Sequence, residues 1–147
     1  MSFLNNEAQT CRYCLSNNPH PLFAYLISDR VSGQEQISSS IGISRHPFMR
    51  LNQHNRVDGF TVVGAKHTKC SEGNWRIEMV IGPFFTKGAK KFKEEWRSAA
   101  RTLTNRIIIG IRKAMQQKQQ PLSVHISDAK FVLESIRENN KTINGTR

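Results

Sequence analysis

The chain of 147 residues carries a formal net charge of +11 at pH 7 and has a pI of about 10.2. This length allows one hydrophobic core of moderate size, and the large positive charge predicts a polyanionic partner. No apolar run is long enough to span a bilayer and the first residues lack the order of a signal peptide, so no membrane partner is expected. We expect an intracellular protein that associates with DNA in a nucleus, a nucleoid or a viral replication site.

The first part of the chain predicts an arm, a β-hairpin and a helix. Residues 1–20 are polar and interrupted by proline, which is typical of an irregular arm. Residues 21–28 form an apolar run rich in strand-forming side chains, and residues 37–43 predict a second strand after a Ser-Gly turn. Ser44 suits the N-cap of a following helix, and Pro47 suits its first turn.

The second part predicts one more strand and three helices. Apolar and charged side chains alternate over residues 75–81, which is the clearest strand signal in the chain, and Gly82-Pro83 is expected to end that strand. Apolar residues recur at steps of three and four from 86 to 101, which predicts a helix packed against the sheet. Further helices are expected at 103–116 and 129–137.

Arg50 and His54 are the first candidates for chemistry. They are four residues apart, so they project from the same face of the predicted helix. A guanidinium offers a planar fork of donors to a phosphate, and an imidazole exchanges protons near neutral pH. The pair therefore suits binding and hydrolysis of a phosphodiester, although the same spacing also occurs on ordinary solvated helix faces.

The cysteines suggest a metal site. Three cysteines cannot all pair within one chain, so a disulfide framework is not expected. Cys11 and Cys14 form one short chelating pair, and His67 and Cys70 form another, which together suit a tetrahedral Zn²⁺ site with three sulfur ligands and one nitrogen ligand. His20 is the alternative ligand to His67. The simpler interpretation is three reduced thiols and a surface histidine.

Five segments carry a resemblance to a known family. In chain order they are Phe23-Ala24-Tyr25-Leu26-Ile27, Ile41-Gly42-Ile43-Ser44, Arg50-Leu51-Asn52-Gln53-His54-Asn55, Gly64-Ala65-Lys66-His67-Thr68 and Glu94-Glu95-Trp96. They resemble the GIY-YIG nuclease superfamily, especially the eukaryotic structure-specific flap and junction endonucleases, over roughly residues 22–100. Two departures are visible. Phe23-Ala24 replaces the usual Gly-Ile, and Ser40 stands where the second motif tyrosine is expected.

The resemblance implies an α+β fold in which helices flank a small three-stranded antiparallel sheet. We expect an arm at 1–20, a GIY-YIG-like nuclease domain at 21–118, and a helical extension with a tail at 119–147. The implied activity is metal-dependent hydrolysis of phosphodiester bonds, in branched or structured DNA. The alternative is a catalytically weak or inactive DNA-binding protein with the same fold.

The resemblance also assigns roles to the motif residues. Tyr25 would take a proton from the attacking water with help from His54, and Arg50 would hold the phosphate. Ser40 would leave a shortened proton relay at the second motif position. Glu95 would hold Mg²⁺ or Mn²⁺, because it matches the motif context and borders the apolar stripe of its helix. Glu94, which points away from that stripe, is the alternative metal ligand.

Basic side chains predict the DNA-binding surface. Lysine and arginine greatly outnumber glutamate between residues 87 and 113, which favours a phosphate-contacting surface over an ordinary solvated helix face. No base-reading module is evident, so recognition by DNA shape is expected. The sequence leaves open whether the chain acts as a homodimer or beside a partner subunit. The predicted DNA-binding residues are Arg45, Lys66, Lys87, Lys90, Lys91, Lys93 and Arg97.

Overall fold

The computed structural model describes residues 11–16, 19–30, 37–55, 75–85, 87–118 and 122–145, with the side chains of 142–145 excepted. The fold is α+β, as predicted. The strands are β1 (Leu22–Ser28), β2 (Ser39–Ser44), β3 (Arg76–Phe84) and β4 (Ser123–Ile126). The helices are α1 (Pro47–His54), α2 (Gly88–Ala99), α3 (Leu103–Met115) and α4 (Ala129–Gly145).

The four strands form one antiparallel sheet in the order β2-β1-β3-β4. Three strands were predicted from the sequence, and β4 is the one that was missed. β4 has four residues, and none of them is fully buried, so its hydrophobic pattern is too short to stand out. β2 and β4 lie at the two edges of the sheet formed by the described strands.

The two faces of the sheet are covered by different helices. Ala24 and Leu26 of β1 belong to the main core, together with Phe92 and Trp96 of α2 and the buried side of α3. Side chains alternate along a strand, so Tyr25 lies on the opposite face, where α1 packs. This second, smaller core contains Tyr25, Ile27, Trp75, Ile77 and Val80, with Phe48 and Leu51 of α1 packed against it.

Three predicted boundaries were wrong. β3 continues through Gly82-Pro83 to Phe84, which pairs with Leu22, because cross-strand pairing at this point outweighs the local turn signal. Helix α1 begins at Pro47 with His46 at the N-cap position, and the Ser44 hydroxyl instead accepts a hydrogen bond from the His46 N–H at 3.0 Å. The last helix continues to Gly145, well beyond the predicted end at 137. Thr86, the predicted cap of the next helix, lies outside the described residues.

The segment after residue 119 packs on the same core as the rest of the chain. β4 pairs with β3, and Val132 of α4 is buried in the main core. Arg30 donates hydrogen bonds to Glu78 and to Asp128, each at 2.8 Å, and its guanidinium stacks on the ring of Phe131. This network joins the end of β1, the middle of β3 and the start of α4. Among the described residues, no helix combines the length and the apolar surface that crossing a bilayer would need.

Candidate active site and metal cluster

Tyr25 and His54 form a buried polar pair on the α1 side of the sheet. The Tyr25 hydroxyl lies 3.1 Å from His54 Nε2, and each residue is only 3% exposed. β1 places the tyrosine, and the last turn of α1 places the histidine. Strand pairing and helix packing therefore bring together two residues that are 29 positions apart and that were both predicted to be catalytic.

Arg50 lies close enough to act on the same hydroxyl. Burial raises the pKa of Tyr25, while the charge of Arg50 and a hydrogen bond from it act in the opposite direction. The raised pKa keeps the phenol neutral at neutral pH. Gln53 orients the arginine, because Arg50 Nη1 donates to Gln53 Oε1 at 2.6 Å. The structure thus places Tyr25, His54 and Arg50 together.

Gly42 makes room for the Tyr25 ring. It is the cross-strand partner of Tyr25, and a Cβ atom built on it would lie 2.5 Å from the Tyr25 hydroxyl oxygen. Real Cβ atoms do not approach other atoms this closely, so a side chain at position 42 would displace the hydroxyl. The glycine in the Ile41-Gly42 motif therefore has a packing reason that is not visible in the sequence.

We expect Gly42→Ala to push the Tyr25 hydroxyl away from His54 and to lower stability by about 1–3 kcal/mol, the usual cost of overpacking. Urea denaturation measures the stability, and a crystal structure of the variant measures the distance between Tyr25 and His54. Gly88→Ala is the matched control, because Gly88 is exposed at the start of α2 and the added methyl should not destabilise the helix. A Gly42→Ala variant with the 3.1 Å contact intact would contradict this account.

Asn55 fixes the end of α1 in place. Its side-chain amide donates to the Trp75 carbonyl at 2.7 Å, and its side-chain oxygen accepts from the Trp75 N–H at 2.8 Å. The two bonds join the residue after His54 to the residue before β3. Asn55 therefore acts as a positioning residue for His54. Its role was missed because Trp75 is 20 positions away in the sequence.

Ser40 lies on β2 at the edge of the sheet. It is the cross-strand partner of Ile27, two positions along β2 from Gly42, and it is 4% exposed. It lines a pocket with Ser39, Ile41 and three arginines of α2, α3 and the segment between them. The shortened proton relay through Ser40 stays a prediction.

Glu95 and Glu94 are both on α2, whose buried side packs on the face of the sheet opposite Tyr25. Glu95 accepts a hydrogen bond from Lys113 of α3 at 2.8 Å, which lowers the pKa of its carboxyl group. Glu94 pairs with Lys93 at 3.4 Å and with Arg97 at 3.7 Å. Their side chains are 49% and 45% exposed, so the predicted difference in helical phase hardly separates them.

A cluster of two cysteines and two histidines lies at the start of α1. The ligand atoms of Cys11, Cys14, His20 and His46 all lie within 4.8 Å of one another, so the cluster could hold a metal ion. Cys11 Sγ is 3.3 Å from His20 Nε2, and Cys14 Sγ is 3.3 Å from His46 Nε2. A tetrahedral Zn²⁺ site with bonds of about 2.0–2.3 Å needs ligand atoms roughly 3.4–3.8 Å apart, which is close to this arrangement.

The surroundings orient His20 and favour the neutral form of His46, which is the form that can bind a metal. His20 Nδ1 lies 2.7 Å from the Pro21 carbonyl oxygen, which turns Nε2 towards the cluster. The pKa of His46 is lowered, first by burial and then by the charges of His20 and Arg45. His46 was missed as a ligand because it is 32 positions from Cys14. His67 and Cys70, which the local spacing favoured, lie outside the described residues.

The predicted DNA-binding side chains are mostly on the surface. Arg45 is exposed just before α1, and Arg97 is exposed near the end of α2. Lys66 lies outside the described residues. The remaining members are on or next to the start of α2, where Lys93 is half-buried and the others are exposed; they are Lys87, Lys90, Lys91 and Lys93.

Comparison with family models and with curated proteins finds no match for this chain. The similarity to GIY-YIG nucleases therefore stays a prediction that rests on the quoted motifs. The architecture, the tyrosine–histidine pair and the Cys/His cluster are structural observations that do not depend on it.

Proposed function

We propose that the chain is an endonuclease that hydrolyses phosphodiester bonds in branched or structured DNA. The observation that carries the proposal is the hydrogen bond between Tyr25 and His54 in a buried site beside Arg50. Three groups suited to proton transfer and to phosphate binding meet on one face of the sheet. The net charge of +11 supports a polyanionic substrate.

Tyr25 and His54 suit a proton relay to and from the attacking water. Burial keeps the phenol neutral, so the phenol cannot accept a proton without losing its own. His54 Nε2, 3.1 Å away, is the acceptor for that proton. As water attacks phosphorus, the tyrosine oxygen would take a proton from the water and pass its own proton to the imidazole. The bond from phosphorus to the leaving oxygen would break, and that oxygen would take a proton from solvent. General acid–base groups of this kind need hydrogen-bond reach to each partner.

Arg50 suits the charge that develops on the phosphate. A guanidinium stays protonated, and its fork matches two non-bridging oxygens. The bond to Gln53 holds the guanidinium in a fixed direction, so little reorganisation is needed when the substrate binds. Such donors commonly contribute about 100-fold or more to a rate.

A divalent ion is the cofactor that the resemblance implies, and Glu95 has suitable chemistry for it. Its carboxyl group is ionised and half exposed, and Mg²⁺ often takes one or two carboxylates, the rest being water and substrate phosphate. Glu95 is on the helix that covers the face of the sheet opposite Tyr25, so an ion held there would lie apart from Tyr25, His54 and Arg50 and would neutralise phosphate charge on its own side of the sheet. Lys113 and Lys91 both pair with Glu95, so these ammonium groups would compete with an ion for its carboxylate oxygens.

We expect added Mg²⁺ or Mn²⁺ to support cleavage of flap and junction DNAs. Glu95→Gln tests the metal ligand that the resemblance implies, which requires cleavage to be lost while DNA binding persists. Glu94→Gln is the matched control, since the two carboxylates are almost equally exposed. Zinc-loaded protein in metal-free buffer should be used, because a strong chelator would also strip the Cys/His cluster. If Glu95→Gln is fully active, Glu95 is not a ligand of the catalytic ion. A wild type that binds but never cuts DNA would favour the alternative, a DNA-binding protein.

The Cys/His cluster is proposed to hold a structural Zn²⁺. Four protein ligands leave no open position for substrate, which distinguishes a structural from a catalytic site. Three ligands come from the arm at residues 11–20, and the fourth, His46, directly precedes α1. The ion would therefore anchor the arm to the helix that carries Arg50 and His54.

A further inference from the structure

The pocket at the edge of β2 has the composition of an anion site. It has a volume of about 330 Å³ and is lined by Ser39, Ser40, Ile41, Arg97, Arg101 and Arg106. Three arginines and two serines meet there, and no carboxylate lines the pocket. In the described part of the chain, Arg97 is paired with Glu94, while Arg101 and Arg106 have no ion pair. The pocket therefore has a positive charge that the described residues do not balance.

Arg106 is held in the pocket by the backbone. Its Nε donates to the Ala100 carbonyl at 2.9 Å, and its Nη1 donates to the carbonyl and hydroxyl oxygens of Ser39, both at 3.0 Å. Burial lowers the pKa of Arg106, and the charge of Arg97 lowers it further, but a guanidinium remains protonated at neutral pH. Nη2 has no hydrogen-bond acceptor among the residues that the structure describes. The guanidinium is therefore held in place with its Nη2 group available as a donor, which preorganises it for a ligand with several oxygen atoms.

A purely structural role explains only part of this arrangement. The three bonds of Arg106 do join α3 to β2 and to the end of the α2–α3 segment. They give no reason for Arg97 and Arg101 to line the same pocket, since like charges at close range repel. An anion in the pocket would offset that repulsion.

We propose that this pocket binds a backbone phosphate of the nucleic acid that is cleaved, at a position away from the scissile bond. The proposal rests on the proposed function for the identity of the ligand. The pocket lies at the edge of β2, and Gly42, over which the Tyr25 hydroxyl lies, is two positions along that strand from Ser40. The arginines come from α2, α3 and the segment between them, and these helices cover the opposite face from Tyr25, so the two places lie on either side of β2. A nucleic acid that crosses the edge of β2 would contact both.

The test measures DNA affinity at several salt concentrations, with Mg²⁺ and Mn²⁺ left out so that the DNA is not cut. Arg97→Ala and Arg101→Ala change exposed side chains, so folding should be retained. We expect the double variant to lose about tenfold in affinity, and the slope of log affinity against log salt to fall by about 1–2. Arg137→Ala, an exposed arginine of α4 outside the pocket, is the control and should change affinity less than about twofold.

Binding of inorganic phosphate distinguishes a DNA-phosphate site from a free-phosphate site. If millimolar inorganic phosphate binds to the wild type and the double variant keeps the wild-type DNA affinity, the pocket is a free-phosphate site and the proposal is overturned. It is equally overturned if the double variant keeps the wild-type affinity and salt slope. Affinity is measured without cleavage, so a protein that never cuts DNA fails the proposed function and leaves this measurement standing.

Discussion

Tyr25→Phe is expected to lower the cleavage rate by at least ~100-fold, which is the lower range for loss of a general acid–base group. DNA affinity and the fold should change little, because phenylalanine fills the same space and only the hydrogen bonds of the hydroxyl with His54 and Arg50 are lost. Single-turnover cleavage of a labelled flap DNA measures the rate, and circular dichroism checks the fold. Tyr13→Phe is the matched control. Tyr13 is the other tyrosine of the chain, and its hydroxyl contacts Arg12 outside this site.

The relay itself is tested by combining Tyr25→Phe with His54→Gln. Two residues that act as one unit give a double variant about as slow as the slower single variant. If the two residues act independently, the rate losses of the single variants would multiply in the double variant. That result would show that His54 and Tyr25 do not form one proton relay. A rate for Tyr25→Phe within about twofold of the wild type would remove the tyrosine from the mechanism.

Cys14→Ser is expected to abolish zinc binding and to lower the melting temperature by roughly 10 °C or more. Structural zinc sites in small domains contribute free energies on the order of 10 kcal/mol to folding, and each kcal/mol corresponds to about 2–4 °C in a domain of this size. Metal analysis of protein prepared without chelators should give about one zinc per chain, and thermal denaturation measures the stability. The effect should extend to cleavage, since His46 directly precedes the helix of Arg50 and His54.

Cys70→Ser distinguishes the two candidate ligand sets for zinc. The cluster of Cys11, Cys14, His20 and His46 already supplies four ligands, so Cys70→Ser should keep its zinc. His46→Ala should lose zinc, while His125→Ala, which changes an exposed histidine outside the cluster, should not. If Cys70→Ser loses zinc and His46→Ala keeps it, the ligands are instead those that the local spacing suggests, Cys11, Cys14, His67 and Cys70. If the wild-type protein contains no zinc, the proposed zinc site is wrong.

Local signals in the sequence were enough to place most elements. The apolar run before Ser28 and the alternation after Trp75 correctly predicted β1 and β3, because a half-buried strand needs this pattern to cover its inner face. The apolar stripe of α2 likewise predicted the burial of Phe92 and Trp96. β4 was missed because its partner strand, and not its own four residues, determines that it is extended.

The candidate sites divide in the same way between local and long-range signals. Cys11 and Cys14 could be paired from their spacing, because a Cys-x-x-Cys segment can chelate an ion by itself. Arg50 and His54 could be placed on one helix face because helical geometry is local. The position of Ser40 in an arginine pocket depends on how α2 and α3 pack on the edge of β2, and no spacing in the sequence reports that packing.

The sequence by itself determined the basic charge, the α+β pattern of elements and the residue types available for phosphate and metal chemistry. These follow from composition and from periodicities of about two and 3.6 residues, which depend only on neighbours along the chain. The tertiary structure alone decided that Tyr25 meets His54, that His46 completes the cysteine pair, and that Arg106 is fixed against Ser39. These contacts join residues 29 to 67 positions apart, and strand register and helix packing, which set such distances, come from the whole core at once.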